Sequence, residues 1–338
     1  MAEIVPSIVV HGGKFHCDDA MAVALLMFLP QYSHATVLRT FDAGQIAAAT
    51  VVCDIGGVYD HSKLRYDHHQ RGFNEVFSPK NQKIKMASAG LVWRHYGPEI
   101  MRTLAESPLN DQSVALLHFK VYQDLIAAVD ANDNGIDQYS HVLPPGAEPL
   151  FAIHSDLSSR VASLNPNWQE TCTPGEVDAR FMQGVGLCRE EFLRTFSHAV
   201  KSWLPARAII SKAIEERHLL APDCGGRVLV LSQNAPWRDH LFTIEEERSI
   251  SPSILYVVVE DAPRHQWSSV CVPLHRNTFL NRAPFPEAWR GLRDAELSAR
   301  ASIPGCAFVH ASGFMAAHAT KDGAMDMCRQ AMKLAPPS

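Results

Sequence analysis

Strand and helix signals alternate through the first 140 residues, and that cadence limits the possible folds more than any other feature of the sequence. Residues 4–10 form a β-branched run, 18–29 read as helix, 36–41 as strand, 45–49 as a short helix and 50–53 as strand again. Strand, helix, strand in this order predicts a parallel sheet with both faces covered, hence an α/β fold. Further on, Val114, Leu117, Val121, Leu125 and Val129 mark one face of a helix that ends at the Asn134-Gly135 step. A stretch rich in Pro and Ser, residues 143–174, reads as a linker.

Residues 178–218 are mostly helical in pattern, with Pro205 predicted to kink or split the run. New strand signals follow at 227–232, 254–260, 268–273 and 306–310, and a closing helix at 322–334. The expected organisation is therefore a parallel-sheet domain over residues 1–177, a helical connector over 178–219, and a smaller α/β domain over 220–338. No internal repeat or low-complexity segment interrupts it.

Composition excludes several classes. With 46% hydrophobic and 20% charged residues, the 338-residue chain is neither disordered nor fibrous. Its net charge of −5 means that any grip on nucleic acid must come from a local patch, which argues against long duplexes as partners. The longest apolar run, residues 20–29, stops at Pro30, well short of the roughly 18 residues a membrane span needs. The start, MAEIVPSIVV, has neither the basic region of a signal peptide nor an Arg-rich amphipathic pattern, so an intracellular, by default cytoplasmic, location is expected. Eight cysteines without a CxxC pair suggest a reducing compartment and no structural zinc.

The chemically active residues gather at the carboxyl ends of the predicted strands, where open α/β sheets bind ligands. The first strand runs into His11-Gly12-Gly13-Lys14-Phe15-His16-Cys17-Asp18-Asp19 and the third into Cys53-Asp54-Ile55-Gly56-Gly57. A short strand then delivers Tyr66-Asp67-His68-His69, and Asp130 lies beside Asp133 near the end of the long helix. Imidazole mixed with carboxylate, without thiolate, suits manganese or magnesium, with iron or cobalt as alternatives. Three His and three Asp are too many for one octahedral ion that must keep water, yet they fit two ions about 3.5 to 4 Å apart. Such a site points to phosphoryl ester hydrolysis. A lone strand-end Asp is more often a turn or helix cap than a ligand, so the inference rests on the whole set.

The string YDHHQRGF resembles the signature of the DHH phosphoesterase superfamily. Together with HGGKFHCDDA, VCDIGGVYD, MASAGLVWRHYG, VDANDNGI, WRGLRD and GCAFVHASGF it resembles the melanocyte proliferating gene exonuclease family over about residues 8–330. The resemblance implies a DHH-type catalytic domain followed by a substrate-clamping one. It implies that His11, His16 and Asp54 hold one metal and Asp18, Asp54, His68 and Asp130 the other, with Asp54 bridging. Asp67 would then orient His68, and His69 would face the scissile phosphate. The implied activity is that of a manganese- or magnesium-dependent phosphodiesterase, a 3′ to 5′ exonuclease acting on short single-stranded RNA. A pyrophosphatase or small-nucleotide phosphatase is the alternative within the superfamily, and a metal-binding module without turnover is the alternative outside it.

For the substrate, Arg290, Arg293 and His310 are the expected clamp, and Trp289 is a stacking surface or a core aromatic with equal weight. Trp267 and Phe314 add slightly to the aromatic side. Lys85 and Ser88 are placed to meet phosphate at a helix N-terminus, with simple capping by Ser88 as the competing reading. Two departures stand out: His16 occupies a position where the superfamily usually has Asp, and Met315-Ala316-Ala317 stand where glycines are expected. The first lowers the negative charge of the site. The second would crowd a substrate backbone packed on that turn.

Overall fold

Near-continuous apolar runs make the sheet of the first unit. In the computed structural model, which describes residues 5–79, 83–138, 152–276 and 278–334, strands β1 (Ser7–Val10), β2 (Thr36–Arg39), β3 (Val51–Cys53), β4 (Tyr59–Asp60) and β5 (Arg65–Tyr66) are ordered β2-β1-β3-β5-β4. All neighbours are parallel except β4 with β5. Ile8, Val9, Val10, Val51 and Val52 are fully buried, as strands covered on both faces must be, whereas edge strand β2 alternates between exposed and half-buried residues. Because β1, β3 and β5 are adjacent and parallel, the residues that follow them emerge on one edge of the sheet.

Helix α1 (Cys17–Leu26) is buried on every side and packs against α3 (Ser88–Leu104) and α7 (Pro174–His198). Helix α2 (Ala43–Ala48) is the short crossover before β3, capped by Asp42 accepting from the Gln45 amide. The long helix read from the apolar face is three pieces: α4 (Asp111–Val121), a π-helical turn (Tyr122–Ile126) and α5 (Ala127–Asp133). Val114, Leu117, Val121, Leu125 and Val129 are all buried. From Leu117 onward the three steps of four outrun 3.6 residues per turn, and the wider i→i+5 turn takes up the drift.

The start of α3 has no side-chain cap of its own, and α5 supplies one. Asp130 accepts from the amides of Ala87 (3.0 Å) and Gly90 (2.9 Å) and from the Tyr122 hydroxyl (3.0 Å). These amides are among the orphan donors of a helix N-terminus. Gly90 permits the approach, since a Cβ there would stand 2.1 Å from Asp130 Oδ2.

Of the predicted linker, residues 152–174 contain helix α6 (Leu157–Ala162), while 143–151 lie outside the described residues, as does Ile4 of the first strand run. The division into compact units, Met1–Val200 and Lys201–Ser338, falls inside the stretch read as a connector. Helix α7 packs on α1, and α8 (Leu204–Leu220) packs on the second sheet. A π-helical segment, Ala199–Trp203, precedes Pro205, whose missing amide and bulky ring break the i→i−4 pattern.

The second unit is built on β6 (Val228–Val230), β7 (Tyr256–Asp261), β8 (Gln266–Cys271), β9 (Cys306–Val309) and β10 (Met315–His318), ordered β6-β7-β8-β10-β9. Only β6 with β7 is parallel, so this sheet is mixed. Alternation divides its faces: Leu229, Leu231 and Val257 pack with Ile210 and Ile214 of α8 and with Leu241 and Ile244 of α9 (Arg238–Glu247). Val228, Val230 and Val258 pack with Leu297 of α10 (Asp294–Ala301) and with Met325 and Cys328 of α11 (Lys321–Leu334). Helices α9 and α10 and strand β10 were not expected from the sequence. Met315-Ala316-Ala317 therefore form an interior strand rather than a turn, with Ala316 and Ala317 buried between neighbouring strands. Among the described residues no helix is long and apolar enough to cross a membrane.

Replacing Asp130 by Ala should cost about 3 kcal/mol or more, because three buried donors lose their acceptor at about 1–3 kcal/mol each. Urea unfolding of Asp130→Ala, beside the milder Asp130→Asn, measures it. Gly90→Ala should destabilise comparably by forcing the same carboxylate away.

Candidate metal centre

Asp54 is the residue around which the strand ends converge. It follows β3 with φ of 59°, in the left-handed region that Asp tolerates better than most residues, and its amide donates to the Tyr66 carbonyl at 3.1 Å. That conformation turns the carboxylate toward both neighbours in the sheet. Oδ2 lies 3.3 Å from His11 Nε2, just past β1, and Oδ1 lies 3.2 Å from His68 Nε2, just past β5.

Three groups of ligand-capable atoms share this carboxylate: His11, His16 and Asp54; Asp18, Asp54, His68 and Asp133; and Asp54, His68 and His69, which overlaps the second. His68 Nε2 is 3.0 Å from Asp133 Oδ2, and His16, at the helix α1 N-cap, has Nδ1 3.6 Å from Asp133 Oδ1. Each group could hold a metal ion. Asp18 decides that the fit is chemical as well as geometric. Its carboxylate is wholly buried, Oδ2 accepts from Ser88 Oγ at 2.8 Å, and Oδ1 has no hydrogen-bond donor. A buried carboxyl oxygen without a donor fits a cation.

The residue expected as the fourth ligand of the second group, Asp130, is in none of the three. Its oxygens are spent on Ala87, Gly90 and Tyr122, and burial raises its pKa to about 7. Asp133, one helical turn later, faces the cluster instead. A signal for it existed in the sequence, since an acid in the last turn of a helix opposes the macrodipole and calls for another reason to be there. Ser88 is buried at the first turn of α3 and holds Asp18, so it does not present itself to a phosphate. Asp67 does not orient His68. Its Oδ1 accepts from His69 Nδ1 (2.8 Å) and from the His69 amide (3.1 Å), while Oδ2 accepts from the Gly57 amide. Asp19, unassigned from the sequence, has Oδ2 3.2 Å from His11 Nε2, and its Oδ1 accepts from the amides of His16 and Ala20.

Like charges at this density shift the protonation of the cluster. Burial, then the neighbouring carboxylates Asp54, Asp133 and Asp19, hold the Asp18 carboxyl well above its ordinary range. Burial opposes charge on His11 and His68 too, but their carboxylate partners outweigh it and raise each pKa to about 10. Burial likewise works against ionised Asp54, yet the two imidazoles prevail and lower it to about 2.

Two cavities flank the cluster and share His69. One of about 260 Å³ is lined by His68, Gln70, Phe73, Lys85, Asp133 and Asn134. The other, of about 430 Å³, is lined by His11, His16, Phe41, Asp54, Ile55 and Gly56. Lys85 is exposed at the first. The other expected substrate residues belong to the second unit and are engaged there. Arg290 Nε donates to the Phe285 carbonyl at 2.9 Å, Arg293 lies over the Phe308 ring, and His310 Nδ1 is 2.9 Å from Ser312 Oγ. Trp289 is only 2% exposed and is a core residue rather than a stacking surface.

The model of the MYG1 exonuclease family, described as an uncharacterised protein family (UPF0160), matches residues 7–332. The chain belongs to the MYG1 exonuclease family. A human relative named MYG1 exonuclease is 41% identical, covering 96% of this chain and 85% of its own length. The Dictyostelium discoideum MYG1 protein is 38% identical over 98% of this chain and 97% of its own. A Saccharomyces cerevisiae relative, MYG1 protein YER156C, is 35% identical, with 95% and 94% covered. Membership thus extends over both units of the chain.

His11 and His68, with pKa values of about 10, are protonated at neutral pH when no cation is present, and must lose those protons to act as ligands. Manganese uptake should therefore release protons, and apparent affinity should rise as pH climbs from 6 toward 10. Calorimetry in buffers of different ionisation heat measures both. Asp133→Asn should abolish uptake at the group that contains it, whereas Asp130→Asn should leave uptake intact while losing stability.

Proposed function

We propose that this chain is a two-metal phosphodiesterase that removes nucleotides from the 3′ end of short single-stranded RNA. The observation that carries the reading is the sharing of Asp54 between the ligand group of His11 and His16 and that of Asp18, His68 and Asp133, which is the arrangement a pair of bridged cations requires. The exonuclease names of the mammalian relatives support a nucleic acid as the substrate. In this reading His11, His16 and Asp54 hold one cation, and Asp18, Asp54, His68 and Asp133 hold the other. Manganese or magnesium bound there supplies the charge that acidifies an attacking water and offsets charge building on the phosphoryl oxygens.

The remaining residues position and transfer protons. Asp67, accepting from three donors on its two oxygens, fixes the His69 ring through Nδ1 and leaves Nε2 to carry a proton to the leaving oxygen. Ser88 and Asp19 set the orientation of Asp18 and His11. Lys85 meets a phosphate oxygen in the smaller cavity. With net charge −5 and so few cationic contacts, binding should depend weakly on salt, with a slope of about −2 in log K against log salt.

Purified protein supplied with manganese and end-labelled RNA of a few nucleotides should release mononucleotides from the 3′ end. Matching DNA and pyrophosphate, run beside it, distinguish the related hydrolases. Asp54→Asn should lower turnover by about 10³-fold without unfolding the chain. His69→Ala should lower kcat by about 10²-fold with metal uptake intact. Pyrophosphate as the preferred substrate, or near-normal turnover by Asp54→Asn, would overturn the proposal.

A further inference from the structure

Phe41 stands where the sheet edge meets the metal centre, and nothing in the proposed chemistry uses it. It follows β2, is 69% exposed, and forms part of the wall of the larger cavity. Its ring centroid is 6.4 Å from that of His11, whose Nε2 is in turn 3.3 Å from Asp54. A single exposed aromatic is ordinary on a protein surface. Three features distinguish this one.

The first is its seat. The ring lies so close to the first strand's loop that a Cβ on Gly12 would come within 3.0 Å of it, so the glycine is what lets the ring rest there. The second is the rest of the wall. Ile55, Gly56 and Gly57 add an apolar side chain and two residues without one, and a Cβ at Gly57 would meet nothing within 4 Å. The third is the floor, where His11, His16, Asp54, Asp67 and His69 of the cluster and its surroundings meet the cavity. A cavity of about 430 Å³ with an open aromatic plate at its rim and phosphate chemistry at its base has the form of a nucleotide subsite.

We infer that Phe41 is the base-stacking residue of this site, receiving the nucleobase of the nucleotide whose phosphate lies at the metal centre. The inference rests on the nuclease reading and adds a specificity element to it. Phe41 and Ile55 give this side an apolar wall, whereas Lys85 lines the opposite cavity. A substrate strand thus places its base over Phe41 and continues its phosphates toward Lys85. Stacking accepts every base, so this contact discriminates nucleotides from simple phosphate esters rather than one base from another.

The test is equilibrium binding to the full chain with manganese present, using adenosine monophosphate and ribose 5-phosphate as probes. Wild-type protein should bind the nucleotide about 10-fold more tightly than the sugar phosphate. Phe41→Ala should remove that difference and leave the sugar phosphate unchanged, and Phe41→Trp should keep or widen it. Equal binding of both probes by wild type, or equal weakening of both in Phe41→Ala, would overturn the subsite. If the wild-type preference holds and Phe41→Ala removes it while no phosphodiester is cleaved, the base subsite stands and the nuclease reading falls.

Discussion

The crowding of Asp18, Asp54 and Asp133 at the edge of an apolar sheet is the constraint on which the rest of the first unit depends. Carboxylates in such a place repel one another and lose their hydration, and neither cost is tolerated unless positive charge is brought to them. In the chain itself that charge comes from His11 and His68, which flank Asp54 and hold their protons far above the ordinary imidazole range. Two imidazoles cannot serve every oxygen. Asp18 Oδ1 still has no donor, and the carboxyl responds by titrating far upward. A divalent cation held there would resolve the same imbalance more completely, and its uptake would displace protons.

Around these groups lies a set of residues that hold them still. Ser88 fixes Asp18, Asp19 sits against His11, and Asp67 fixes His69. Arg39, at the end of β2, donates to the Gly13 carbonyl and pairs with Asp178 at 3.0 Å, which ties the first site loop to α7. Asp130 serves at one remove: by capping α3 from α5 it sets the position of Ser88 on one helix and of Asp133 on the other. One carboxylate thereby aligns two helices that each bring a residue to the cluster.

The second unit follows a different logic. Its Arg290 is engaged in local structure, where Gly313, with φ of 75°, passes so close that a Cβ would stand 2.6 Å from Nε. The strings WRGLRD and GCAFVHASGF are therefore, in part, the two sides of one packed turn: Phe285 donates to the Gly313 carbonyl, and Arg290 to that of Phe285. A motif that marks a family can mark a turn as readily as a site.

The sequence by itself determined the parallel sheet of the first unit, the strand ends that carry chemistry, and most of the cluster. Those properties are local: β-branched runs form strands, and in a parallel sheet consecutive strand ends share an edge. It did not determine which of two acids on α5 faces the site. Asp130 and Asp133 are one turn apart, and only the packing of α5 against the α3 N-terminus, with Gly90 leaving room, assigns the first to capping and the second to the cluster. Tertiary structure likewise decided the partner of Asp67, the burial of Trp289 and Ser88, and the exposure of Phe41. It also made a strand of Met315-Ala316-Ala317, where alanine's weak strand preference gave way to pairing with β8 and β9. In each case the deciding quantity is which atoms lie within hydrogen-bonding or van der Waals reach, and residues far apart in the chain set it.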